Sequence, residues 1–183
     1  YAVASQAAFH GYDAAESVIQ LDPRAGEDTI RAEDIEELLE REGGSIALIM
    51  LGGVNYLTGQ AFDMARITEL GHRHGCTVGF DLAHAAGNLI LNLHDWDVDF
   101  AVWCSYKYLN GGPGCVGGAF VHGRHAESDL PRFAGWWGQD KQTRFAMPSG
   151  FTATPGAEGW QLSNPPILPL ASLRASLEIF EAA

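Results

Sequence analysis

The chain has 183 residues, 46% of them hydrophobic and 19% charged, which is enough to bury one sizeable core and too apolar for a disordered chain. Its 23 acidic and 11 basic residues leave a formal charge of −12, which excludes a broad electrostatic grip on nucleic acid or an anionic membrane surface but leaves room for a small local anion site. No stretch approaches the ~20 uninterrupted apolar residues of a membrane helix, and no basic-then-apolar leader precedes a cleavage site, so a soluble protein is expected.

The chain opens at Tyr1 without an initiator methionine and ends inside a helical run, and on that ground it is expected to be part of a longer protein. Between Glu33 and Glu42, Ile35, Leu38 and Leu39 recur at i, i+3, i+4 among carboxylates, the pattern of a surface helix with one buried stripe. Gly43-Gly44 ends it, and Ser45-Ile-Ala-Leu-Ile-Met-Leu51 follows as a near-continuous apolar run, as expected for a strand of a parallel sheet covered on both faces. Phe62, Ala65, Ile67 and Leu70 mark a second helix that stops at His74-Gly75. Three further strands are expected at Cys76–Ala83, Phe100–Ser105 and Val116–His122. Strand and helix alternate, which implies an α/β layered domain.

From Arg124 to Pro169 the texture turns polar and aromatic, and this stretch reads as long irregular loops of the kind that carry a site or an interface. Leu170, Leu173, Leu177 and Phe180 then mark an amphipathic helix expected to start beyond Pro169. Cys76, Cys104 and Cys115 are odd in number, lie in apolar surroundings and lack CxxC spacing, which fits reduced thiols in a cytosolic protein.

The segment richest in chemistry is Trp103-Cys-Ser-Tyr-Lys-Tyr-Leu-Asn-Gly-Gly-Pro-Gly114, where an apolar strand delivers Lys107 into a glycine-rich turn. A partly desolvated lysine is a competent amine nucleophile, as a Schiff base with an aldehyde cofactor requires; the plain alternative is a strand-end lysine reaching for solvent. Asp81 ends the preceding strand, where α/β sheets bind ligands, and a carboxylate there suits the pyridine nitrogen of pyridoxal phosphate. The alternatives are a helix cap for Asp81 and a structural role for His84. A metal site drawn from His72, His74, Asp81, His84 and His94 is disfavoured by the spacing, since no HExxH or paired-cysteine element accompanies them. Dinucleotide binding is weaker still, because the glycines do not form GxGxxG at a strand-to-helix turn.

Several segments together resemble the kynureninase family: Gly79-Phe-Asp-Leu-Ala-His-Ala-Ala-Gly-Asn88, Leu93-His-Asp-Trp96, Trp103-Cys-Ser-Tyr-Lys-Tyr-Leu-Asn110, Gly135-Trp136 and Ser163-Asn-Pro-Pro-Ile-Leu168. Cysteine desulfurases of the same fold usually carry glutamine three residues after the aspartate and histidine just before the lysine. Here those positions are His84 and Tyr106. The resemblance implies the aspartate aminotransferase fold (fold type I), a three-layer α/β/α domain with a mostly parallel sheet, and a pyridoxal 5'-phosphate cofactor. Residues 1–169 would be part of the large cofactor-binding domain and 170–183 the start of the helix leading to a small C-terminal domain. Upstream phosphate-binding segments and the arginine that clamps the substrate carboxylate would lie outside the chain.

The resemblance also makes Lys107 the Schiff-base lysine and Asp81 the partner of the pyridine nitrogen. His84 and Tyr106 would bind the cofactor phosphate, with Tyr106 also assisting proton delivery. Trp136 and Asn164 match positions that reach the phosphate of a neighbouring subunit, implying a homodimer with a shared site; the alternatives are aromatic packing for Trp136 and a turn role for Asn164. Ser163 would lie on the substrate side. Gly52 stands where some members carry a cofactor-side serine, so its backbone amide would have to substitute. The implied reaction is hydrolysis of L-kynurenine, or its 3-hydroxy form, to anthranilate or 3-hydroxyanthranilate and L-alanine, in cytoplasmic tryptophan catabolism leading towards NAD biosynthesis. Another fold-type-I enzyme, a desulfurase or aminotransferase, and a non-catalytic fragment are the alternatives.

Overall fold

The computed structural model describes residues 1–183. Its N-terminal stretch holds two short helices absent from the pattern reading, α1 (Ala2–Phe9) and α2 (Ala14–Ser17), neither of which has a buried residue. Hydrophobic periodicity carries no signal for helices that bury no face.

Helix α3 (Ala32–Glu42) forms where expected and buries Ile35 and Leu39. Glu33 and Asp34 occupy its first turn and Arg41 its last, which matches the helix dipole. A short 3-10 turn, Gly43–Ser45, leads to β1 (Leu48–Gly52). Helix α4 (Met64–Arg73) is capped by Asp63, whose carboxylate accepts the Arg66 N–H at 2.9 Å, and it buries Met64, Ile67 and Leu70. Strands β2 (Thr77–Asp81), β3 (Phe100–Trp103) and β4 (Gly118–Val121) complete the sheet.

The sheet runs in the order β1-β2-β3-β4, with β1, β2 and β3 parallel and β4 antiparallel to β3. A parallel neighbour to β3 would need a crossover element, and residues 104–117 contain none, so the chain returns alongside β3 in the opposite sense. Helices α3 and α4 cover one face, and their apolar stripes meet Ile49, Val78, Phe80 and Ala101 in a single core with Leu82 and Val98. β1 begins later than its apolar run, and Leu48 is half exposed because β1 lies at the sheet edge.

The stretch beyond Arg124 is irregular as expected, but it is pinned by 3-10 turns at Gly123–His125, Arg144–Ala146 and Ala157–Trp160 and by a bridge pairing Gln139 with Ala153. The last helix, α5 (Ile167–Ala182), starts before Pro169 rather than beyond it. Pro169 falls in the first turn, where an N–H has no intrahelical partner to lose. No helix is long and apolar enough to cross a membrane.

Candidate active site

β2 rises through fully buried Val78 and Phe80 and ends on Asp81, whose side chain emerges at the carboxyl edge of the sheet. One carboxylate oxygen accepts the Ala83 N–H at 2.8 Å, turning the chain sharply after the strand. Gly52, the last residue of β1, is the register partner of Asp81, so its backbone lies beside that carboxylate. The turn that follows presents half-buried His84, and the Asn88 side-chain amide donates to the His84 carbonyl at 3.0 Å. Gly87 has φ +80°, and a Cβ there would stand 2.8 Å from the Tyr108 carbonyl carbon. Only glycine permits this close approach of the two segments.

On the adjacent strand, buried Ser105 follows β3 and donates its hydroxyl to the Val116 carbonyl at 2.6 Å, while the Gly111 N–H donates to the Ser105 carbonyl at 2.9 Å. The glycine-rich turn is closed on itself by these bonds, and Lys107 projects from it. Lys107 Nζ lies 2.9 Å from His84 Nε2 and 5.9 Å from the centre of the Tyr106 ring. The Tyr108 ring meets the His84 imidazole edge-on at 6.2 Å, and the Tyr56 ring lies 6.4 Å away on a tilt. An open pocket of about 590 Å³ is lined by His84, Gly87, Lys107, Tyr108, Asn110 and Phe180.

The chain holds two lysines, Lys107 and Lys141. Lys141 is remote in character as well as in sequence: it is mostly exposed and paired with Glu158 at 2.5 Å. Lys107 is the lysine that sits in a pocket.

Of the residues singled out in the sequence, the structure gathers Asp81, His84, Tyr106, Lys107 and Gly52 at the carboxyl edge of β1–β3. Trp136, Ser163 and Asn164 form their contacts elsewhere. Trp136 packs edge-on against Phe145 at 5.6 Å and lies under the Arg144 guanidinium, and the Ser163 hydroxyl donates to the Asn164 side-chain oxygen at 3.3 Å. Arg144 is itself buried, donating to the Trp137 and Gln139 carbonyls at 2.5 and 3.0 Å. Tyr108, Asn110 and Phe180 were not anticipated in the pocket. Tyr108 and Asn110 stand beside Lys107 in the chain, whereas Phe180 arrives from α5, whose Ser176 hydroxyl donates to the Leu109 carbonyl at 2.7 Å.

A second polar cluster also went unread. Asp99, at the amino edge of β3, is buried and accepts bonds from the Val78 N–H, His72, His125 and Arg124 at 2.6–2.8 Å. Burial alone would raise its pKa, but these donors outweigh burial and hold the carboxyl well below the usual carboxylate range. His72 and His94 therefore belong to this cluster and not to the pocket: His72 bonds Asp99, and His94 stacks on His122 at 4.9 Å. The paired aspartates of Asp97-Val-Asp99 and the basic run His122-Gly-Arg-His125 were the available signal.

Comparison with known proteins places these observations. The model of the family described as Aminotransferase class-V matches residues 13–163. The chain is 70% identical over 184 aligned residues to a kynureninase of Myxococcus xanthus and 68% identical to one of Koribacter versatilis, in each case covering all of this chain and 43% of the relative. A kynureninase of Nematostella vectensis is 54% identical over 99% of this chain and 39% of its own length. The chain thus spans less than half the length of these relatives. Among solved structures, a cysteine desulfurase from Escherichia coli superposes with a TM-score of 0.69 at 22% identity, over 84% of this chain and 38% of that one. An alanine–glyoxylate aminotransferase from Nostoc sp. gives 0.64 at 23% identity, over 97% and 44%. At those identities the two structures speak for the fold alone, and the resemblance read from the sequence motifs holds across the chain.

Proposed function

The chain belongs to the aminotransferase class-V family, and from that premise we propose that it is the cofactor-binding part of a kynureninase, which hydrolyses L-kynurenine or 3-hydroxy-L-kynurenine to anthranilate or 3-hydroxyanthranilate and L-alanine. The 70% identity to a kynureninase along the whole chain supports this reading of the reaction. The observation that carries the site assignment is the 2.9 Å contact of Lys107 with His84, three residues beyond Asp81 at the carboxyl edge of the parallel strands, where ligands of such sheets bind.

The residues present fit pyridoxal 5'-phosphate. An aldehyde calls for an amine, and the only other lysine is exposed and ion-paired. A ring nitrogen calls for a carboxylate, and Asp81 has an oxygen that bonds nothing within the chain. A phosphate calls for donors, and His84 and Tyr106 supply an imidazole and a phenol. When bound, the cofactor ring supplies an electron sink for carbanion chemistry.

In this reading Asp81 holds a proton on the ring nitrogen and keeps that sink electron-poor. Lys107 would bind the aldehyde, and its free amine would hold the substrate α-proton as base and then as acid. Tyr106 holds a phosphate oxygen and delivers the proton that completes alanine. The backbone amide of Gly52, beside Asp81 in the sheet, would contact the cofactor. Trp136 and Asn164, which lie apart from Lys107 within one chain, reach the phosphate of a neighbouring subunit in a homodimer, and Ser163 faces the substrate.

Borohydride reduction after incubation with pyridoxal 5'-phosphate, followed by peptide mapping, tests the assignment. The adduct is expected on Lys107; an adduct confined to Lys141, or none, would overturn it. Release of anthranilate and alanine from kynurenine by the protein at its relatives' full length tests the reaction.

A further inference from the structure

The ammonium of a lysine carries only donors, so the nitrogen 2.9 Å from Lys107 Nζ must present a lone pair. With Lys107 as the ammonium donor, an imidazole that accepts at Nε2 carries its ring proton on Nδ1. Free neutral histidine favours the opposite tautomer, so the contact imposes a choice on the imidazole. The surroundings brace the ring: Asn88 holds the His84 carbonyl, and the Tyr108 and Tyr56 rings flank it. The two partners come from different loops, after β2 and after β3, and are held together by the Gly87–Tyr108 approach.

An ammonium cannot attack a carbonyl until it has lost a proton. We propose that His84 is the general base that loads the site: its Nε2 takes a proton from Lys107, and the freed amine attacks the aldehyde of a pyridoxal-type ligand. The Nζ–H bond breaks as the Nε2–H bond forms, and the nitrogen lone pair makes the new C–N bond. His84 then returns its proton to the former carbonyl oxygen, a second proton passes to that oxygen from the newly bonded nitrogen, and the oxygen leaves as water as the C–N double bond closes. Ammonium and aldehyde become a protonated C–N double bond and water, and His84 ends unchanged. Because Nε2 serves Lys107, a phosphate oxygen at His84 is met by Nδ1–H, and one imidazole serves both tasks. This inference rests on the reading of Lys107 as the aldehyde-binding residue.

Histidine ring nitrogen-15 spectra of the ligand-free chain test the tautomer. His84 is expected as Nδ1–H in the parent and as mainly Nε2–H in Lys107→Met; an Nε2–H tautomer in the parent overturns the proposal without any change at His84. The proton transfer is tested with pyridoxal lacking its phosphate, which removes the anion-binding role of His84 from the measurement. His84→Gln, whose amide accepts a hydrogen bond but not a proton, is expected to slow borohydride-trapped labelling of Lys107 at least tenfold while labelling of Lys141 is unchanged. Labelling of Lys107 at the parent rate defeats the inference and leaves the cofactor reading standing. Absence of pyridoxal 5'-phosphate labelling at Lys107 in the parent defeats that reading, and the tautomer result still decides the Lys107–His84 contact.

Discussion

Asp99 and Val78 bond each other twice: the Asp99 N–H donates to the Val78 carbonyl at 3.0 Å, and the Asp99 carboxylate accepts the Val78 N–H at 2.7 Å. A side chain thus takes one rung of the β2–β3 ladder, and that same carboxylate anchors His72 of α4 and Arg124 and His125 beyond β4.

Replacing Asp99 with asparagine is expected to cost about 3 kcal/mol, because a buried carboxylate is lost while Arg124 keeps its charge. Urea unfolding of parent and variant measures it. The folded-state pKa of Asp99 lies below its ordinary value. Its contribution is therefore fully present above the unfolded carboxyl pKa of about 3.9 and is lost as pH falls through the folded value. The stability gap between parent and Asp99→Asn should hold from neutral pH down to that point and shrink below it. A gap that instead grows on acidification contradicts the role given to Asp99.

Gly87→Ala places a methyl group against the Tyr108 backbone at a φ that favours glycine. A loss of about 2 kcal/mol is expected, together with weaker labelling of Lys107 by pyridoxal 5'-phosphate, because the two loops must part. Melting and labelling on the same sample separate this from a change confined to stability.

Asp81→Asn keeps an oxygen for the Ala83 N–H and so should leave the fold intact. Labelling of Lys107 should persist, while turnover of kynurenine by the protein at full family length should fall on the order of 10²–10³-fold. Near-parental turnover would remove Asp81 from its assigned role.

Arg144→Met strips the Trp137 carbonyl of its donor, leaves the Gln139 carbonyl with the Thr154 hydroxyl alone, and removes the cation over Trp137. An unpaired carbonyl costs about 1–3 kcal/mol if it stays buried, so the loop is expected to open locally. Faster amide exchange at Thr152 and Thr154, with Val78 and Phe80 unchanged, is the expected pattern; equal acceleration at all four would mean that Arg144 supports the whole core.

The sheet was legible because its strands are short apolar runs ending in polar residues, and α3 and α4 because they bury one stripe each. What escaped did so for physical reasons. α1 buries nothing and leaves no periodic trace. The antiparallel sense of β4 depends on what the 104–117 connection lacks, which no residue in the strand announces. Lys107 and Asp81 were singled out from their places at strand ends and His84 from the family resemblance, but the Lys107–His84 contact depends on Gly87 letting two loops touch. Phe180 reaches the pocket from more than seventy residues downstream through the packing of α5, and local spacing carries no record of such a meeting.

Because β4 returns beside β3, the turn bearing Lys107 is tethered at both ends to the same rung of one ladder, Trp103 opposite Gly118. A turn anchored in this way does not swing as a lid. Any movement of the Lys107 amine away from His84 falls to the four-carbon lysine stem, a side-chain rotation on a fixed mount, and stiffening the loop should leave its reach unchanged.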